Sequence, residues 1–180
     1  MSLPTFRYHS DPVVSGSIVA SGVKCRCCRK ARGYIYAGPV YAEDELQDAL
    51  CPWCIADGSA HKKFDATFMD YEAVSDKVPE KAADEICQRT PGYNAWQGGA
   101  WPGCCGDGTR YLAPVGQAEL QTAAFREWLG SVLNHIIYEM QISGGAATRL
   151  LQSLNRDQGP TAYLFECITC GRHHVHIDRT

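Results

Sequence analysis

Ten of the 180 residues are cysteines, and nine of them fall into clusters: Cys25, Cys27 and Cys28; Cys51 and Cys54; Cys104 and Cys105; Cys167 and Cys170. Only Cys87 stands alone. A tetrahedral zinc ion takes four thiolate or imidazole ligands, and two residues between paired cysteines let a tight turn aim both sulfurs at one ion. Cys25 and Cys28 have that spacing, as do Cys51 and Cys54, with 22 residues between the pairs. Two such pairs predict a structural four-thiolate zinc site. The chain order, a knuckle hairpin followed by a pair at a helix start, is that of a treble-clef-like site, where helix amides and dipole stabilise thiolate.

Cys167 and Cys170 make a third pair, which needs two more ligands. Cys104 and Cys105 are the available thiols; His173, His174, His176 and Asp107 are the other candidates. Adjacent cysteines bind one ion uncomfortably, because successive side chains diverge in most backbone conformations. One or two zinc ions are therefore expected. Cys27 either replaces Cys25 or Cys28 or points away, and Cys87 reads as a buried core thiol. The sharpest rival is redox chemistry: Cys51-Pro52-Trp53-Cys54 at a helix start resembles an oxidoreductase dithiol, but the β-α-β unit that should precede it is absent from the pattern.

Other polar groups read more plainly. His135 and Glu139 share a helix face without a protease or hydrolase motif around them, the pattern of a solvated contact. Alternation puts His174 and His176 on one strand face, and Val175 and Ile177 on the other. Tyr93, Trp96, Gln97 and Trp101 could form a recognition surface, although tryptophans covering a small metal core serve equally well. Glycine-rich phosphate motifs are missing.

The elements that must position these groups are short. Residues 12–23 read as turn-rich and extended, and Gly33–Gly38 as a strand after the first cysteine turn. Glu43-Asp44-Glu45-Leu46 opens a short helix, and the Cys51 tetrad begins another with Pro52 early in it. Residues 79–89 are helical, and 92–108 form a long irregular loop. Over 117–140 the spacing of Phe125, Trp128, Leu129, Val132, Leu133, Ile136, Ile137 and Met140 predicts one central amphipathic helix. A shorter helix follows over 146–155, and the chain closes on a hairpin around Cys167–Cys170. The fold class is α+β, with zinc-stabilised knuckle hairpins packed on that helix.

The 45% hydrophobic and 21% charged content is that of a globular chain, which excludes disorder, collagen and coiled coil. A net charge of -3 gives no overall reason to expect a nucleic-acid or anionic-membrane partner. Five basic residues in nine positions, Lys24, Arg26, Arg29, Lys30 and Arg32, are the local exception. The N-terminal residues lack a basic-then-apolar leader, so the expected location is the cytoplasm, where clustered cysteines are more often metal ligands or catalytic thiols than disulfides.

Gly33-Tyr34-Ile35-Tyr36-Ala37-Gly38-Pro39-Val40-Tyr41, Cys51-Pro52-Trp53-Cys54-Ile55-Ala56-Asp57-Gly58-Ser59-Ala60, Arg89-Thr90-Pro91-Gly92 and Phe165-x-Cys167-x-x-Cys170-Gly171 resemble the bacterial CbrC family. The resemblance starts at Pro4–His9 and covers nearly the whole chain. It implies a cytosolic bacterial zinc protein, with an association with colicin tolerance, and supplies no catalytic residues. The reading is thus a single CbrC-like domain over 1–180: an extended arm over 1–23, the first zinc knuckle and helix over 24–75, and a helical segment with the C-terminal knuckle hairpin over 76–180. Expected metal ligands are Cys25, Cys28, Cys51, Cys54, Cys104, Cys105, Cys167 and Cys170. The function expected is a protein-binding module, with a bacterial toxin as the suggested partner, and the reading leans away from an enzyme. The alternatives are a metal-dependent hydrolase with an open site at His174 or His176, a dithiol oxidoreductase at Cys51 and Cys54, and a nucleic-acid-binding zinc protein.

Overall fold

The computed structural model, which describes residues 2–178, shows a mixed α and β architecture in which no described helix exceeds ten residues. Strand β1 (Ile18–Ala20) pairs antiparallel with β2 (Tyr34–Tyr36), enclosing the first cysteine turn. Two helices follow, α1 (Pro52–Ala56) and α2 (Ser59–Phe64), separated at Gly58. Ile18, Ile35, Tyr36, Leu50, Ile55 and Phe68 bury themselves around Cys25, Cys51 and Cys54. Three buried thiols are therefore part of an otherwise hydrocarbon N-terminal core.

Helix α3 (Glu80–Arg89) has Pro79 at its start, an acid in its first turn and a base in its last, all suited to the helix dipole. It lays Ala82, Ile86 and Cys87 on a second sheet of β3 (Gly103–Cys104), β4 (Asp107–Val115), β5 (Thr161–Cys167) and β6 (His173–Asp178), antiparallel in that order. Strand β5 is buried on both faces. Tyr163 and Phe165 face α3 with Tyr8, Tyr93, Trp101 and Tyr111, while Ala162 and Leu164 face the remaining helices. On β4 the pairing shifts between Tyr111 and Ala113, so Leu112 is an extra residue. This bulge sends Tyr111 to one core and Ala113 and Val115 to the other, although all three share one parity.

The second core face carries α4 (Gln117–Leu120), α5 (Leu129–Asn134), a π-helical turn at His135–Glu139 and α6 (Gly144–Ser153). The single helix expected over 117–140 is thus broken. Trp128, Val132 and Ile136 do point inward at the expected spacing, but residues 121–124 are all exposed and bury nothing to hold a helix there. The helix expected from Glu43 is also absent: only Leu46 and Leu50 reach the core, and Asp48 turns the chain at φ 52°. The loop expected over 92–108 ends in a hairpin, because Cys105 and Gly106 both take positive φ (54° and 73°) and link β3 to β4 in two residues.

Two N-terminal segments tie these regions together. Tyr8 and Ser10 flank β4, with Tyr111 N donating to Tyr8 O (2.8 Å) and Ser10 N to Tyr111 O (2.9 Å). Buried His9 contacts Pro91 O through Nδ1 and Ser15 Oγ through Nε2, both at 2.7 Å. A carbonyl can only accept, so Nδ1 carries the proton. Beside it, Ser17 Oγ donates to Gly92 O (2.7 Å) and Gly92 N donates to Tyr36 Oη (3.1 Å).

Candidate metal centres

The structure gathers the eight candidate cysteines into two groups of four, Cys25, Cys28, Cys51 and Cys54, and Cys104, Cys105, Cys167 and Cys170. Within each group the four sulfurs lie within 4.8 Å of one another. One pair of each group, Cys25 with Cys28 and Cys167 with Cys170, sits on the same kind of turn. Cys25 N donates to Lys30 O (3.0 Å) and Arg29 N to Cys25 O (2.8 Å), with Arg29 at φ 62°. Cys167 N donates to Arg172 O (2.8 Å) and Gly171 N to Cys167 O (3.0 Å), with Gly171 at φ 69°. Position for position these are one knuckle used twice.

The other pairs differ. Cys51 caps the N-terminus of α1 with extended backbone, Cys54 follows in its first turn, and Cys51 N donates to Cys25 Sγ at 3.3 Å. Cys104 and Cys105 sit at the β3–β4 turn, where the left-handed backbone of Cys105 brings two successive side chains to one side. That conformation removes the objection to adjacent ligands, and the Cys-Gly dipeptide in a two-residue hairpin is the signal that could have revealed it.

The spacings suit a tetrahedral ion. Metal–sulfur bonds of about 2.3 Å place the four sulfurs roughly 3.8 Å apart. Sγ separations are 3.9 Å for Cys25–Cys54, 3.8 Å for Cys28–Cys51 and 3.6 Å for Cys51–Cys54. In the second group they are 3.8 Å for Cys104–Cys105 and 3.9 Å for Cys104–Cys170. Soft sulfur donors of this number fit zinc.

Electrostatics shows what a cation would relieve. The Cys25 thiol is pulled down to about 4, first by its hydrogen bond with Cys51 and then by backbone amides of Cys28, Cys51 and Cys27. Its neighbours move the other way: Cys51 is pushed up by its bond to Cys25 and by burial, and Cys54 by burial to about 12. Cys167 falls to about 6, chiefly through the Cys170 amide, while desolvation raises Cys104 to about 12. In each group one thiol is lowered by hydrogen bonds, while burial and contacts between the sulfurs raise Cys51, Cys54 and Cys104.

The other candidates lie elsewhere. Asp107 accepts from Tyr8 Oη (2.7 Å) and from Arg7. His173 stacks on Trp128 at 3.6 Å and contacts Ser131 Oγ, and His176 contacts Asp178 Oδ1 at 3.0 Å. His174 and His176 do face one side of β6, opposite Phe165 and Tyr163. Cys27 turns to Ser59 Oγ (3.6 Å), and Cys87 is fully buried, its thiol raised to about 12 by desolvation. The two loop tryptophans separate: Trp101 is core, whereas Trp96 is half exposed. His135 and Glu139, read from the sequence as a solvated pair, line a groove of about 500 Å³ with His173, His174 and Lys77.

Among the described residues no helix is long and apolar enough to cross a membrane. No solved structure matches the chain. It is 46% identical over 180 residues to UPF0167 proteins of Mycobacterium bovis and Mycobacterium tuberculosis, covering 98% of this chain and 93% of each relative. It is 39% identical over 181 residues to a UPF0167 protein of Pseudomonas aeruginosa, covering 99% and 98%. The profile of the uncharacterised protein family UPF0167 matches residues 3–179, and with relatives this similar over more than nine-tenths of their lengths the chain belongs to that family.

Proposed function

We propose that the chain is a cytoplasmic binding protein scaffolded by two structural zinc ions, each held by one of the four-cysteine groups. Sulfur spacings near the tetrahedral edge carry this reading. When bound, zinc would neutralise the crowded thiolates and cross-link elements remote in sequence. Four thiolates complete the coordination, leaving no position for water, so the ions would be structural and no residue is assigned a catalytic role. The Cys51–Cys54 dithiol reading weakens because Cys25 and Cys28 stand against those thiols. The repeated knuckle, and the helix start that supplies Cys51 and Cys54, support a treble-clef-like description of the first site.

A protein partner is the reading we favour for the task. Supporting it is a cleft of about 550 Å³ whose rim includes half-exposed Trp96, Asn94 and Arg156, an aromatic and an arginine of the kind that anchor interfaces. That the partner is a bacterial toxin rests on the resemblance to the CbrC family alone. X-ray absorption at the zinc edge of protein purified without added metal should give four sulfur neighbours at about 2.3 Å per ion. Mixed oxygen or nitrogen shells would refute the closed sites. Affinity capture from the native host should recover one protein with the unaltered chain and lose it with Trp96→Ala. Equal recovery by both would remove the cleft from the account.

A further inference from the structure

The two knuckles share their backbone hydrogen bonds but not the residue that follows the second cysteine. The residue after the second cysteine must take positive φ; the C-terminal knuckle uses Gly171, for which this is free, whereas the first uses Arg29 at φ 62°. A side chain kept in a strained conformation where glycine would serve is a pointer to use. Arg29 lines a groove of about 540 Å³ with Lys24, Cys25 and Arg26 from the knuckle and Lys63 and Phe64 from the end of α2. Lys63 Nζ closes the two walls by donating to Cys27 O (3.2 Å) and Arg26 O (3.4 Å), bonds that leave its charge unneutralised. Arg26 is paired with Asp44 at 3.4 Å; Lys24, Arg29 and Lys63 have no carboxylate partner among the described residues. No acid occurs between Asp11 and Glu43, and every one of the 20 acidic residues lies outside this stretch. The chain is acidic overall and concentrates an unpaired positive field here.

We propose that this groove binds the phosphodiester backbone of a single-stranded nucleic acid. Three unpaired cations in one concavity neutralise successive phosphates, and the half-buried Phe64 ring in the wall, over which Lys63 Nζ lies 4.9 Å from the centroid, gives a base a surface to stack on once Lys63 turns to a phosphate, the combination that single strands use. A base paired within a duplex has no free face for that ring, which favours the single strand. This binding is separate from the protein partner assigned to the Trp96 cleft.

The test is fluorescence anisotropy with a labelled single-stranded oligothymidylate of about 20 nucleotides and a mixed-sequence duplex of equal length. The unaltered chain should bind the single strand at low salt in preference to the duplex, with log affinity falling against log salt at a slope of about -2 for three neutralised phosphates. Arg29→Gly relieves the backbone strain, so it should raise the melting temperature while lowering the slope by about 0.7 and the affinity by roughly fivefold. Lys24→Gln and Lys63→Gln, which do not alter the left-handed position, should each lower the slope similarly, and Lys81→Gln on exposed α3 should leave binding unchanged. No binding at low salt, equal binding of the duplex, or affinity that survives loss of Lys24, Arg29 and Lys63 together would overturn the proposal.

Discussion

The two four-cysteine groups share a knuckle and a donor set, yet they stand in opposite relations to the protein around them. In the first, Cys25, Cys51 and Cys54 are buried among Ile18, Leu50, Ile55 and Phe68, and the elements around them, β1, β2, α1 and α2, are all short. In the second, Cys105 and Cys170 are exposed, and the cysteines hang from strands that five residue pairs beyond Thr109–Cys167 already fix in register. The same chemistry is a core in one place and a clasp in the other. What a site contributes to stability follows from what the surrounding chain can do without it, not from its ligands.

The largest effect should come from Cys51→Ser. It removes a buried candidate ligand and leaves its three partner thiols without the fourth, so it should cost most of the about 5–15 kcal/mol that stabilises a typical domain. Denaturant unfolding of the purified variant measures this. A loss under about 2 kcal/mol would make the first site as dispensable as the second.

Gly92 probes the seam between the regions. A Cβ there would stand 1.9 Å from Phe68 O, which is backbone and cannot step aside. Gly92→Ala should destabilise by about 3 kcal/mol, at the upper end of what overpacking costs. Near-neutral behaviour would show that the seam can open without harm.

Position 92 also shows what the sequence does and does not disclose. Spacing sorted the cysteines into pairs and predicted Cys25, Cys28, Cys51 and Cys54 as one set, because two-residue spacing is a local property of a turn. Which pair joined Cys167 and Cys170 was not local: it depended on Cys105 adopting φ 54°, and on Asp107 and His176 finding partners in Tyr8 and Asp178. Periodicity likewise identified Trp128, Val132 and Ile136 as buried but could not see that residues 121–124 face solvent and break the helix. The bulge at Leu112 carries no composition signal, and the close approach of Gly92 to Phe68 O is a tertiary fact.

His9 gives the seam a pH dependence. Burial lowers its pKa from the ordinary 6.5 to about 4, against the opposing bond to Pro91 O. Between those values the unfolded chain binds the proton and the folded chain does not. Stability is therefore full above about pH 6.5 and falls as the pH drops towards about 4, by on the order of 3 kcal/mol. His9→Ala should flatten that limb relative to the unaltered chain, and an unchanged slope would remove His9 as its source. The smallest effect belongs to the second site: Cys170→Ser, at an exposed turn, should cost about 1–2 kcal/mol and leave β4–β5 pairing intact by amide exchange. Global unfolding would erase the contrast between clasp and core.

Zinc content measured together with free thiols tests the central claim most directly. Protein purified without added metal should carry two zinc equivalents and show only Cys27 as a readily reacting thiol, with Cys87 reacting on unfolding. Less than about half an equivalent, with eight or more thiols reacting at once in the folded chain, would contradict two structural zinc centres.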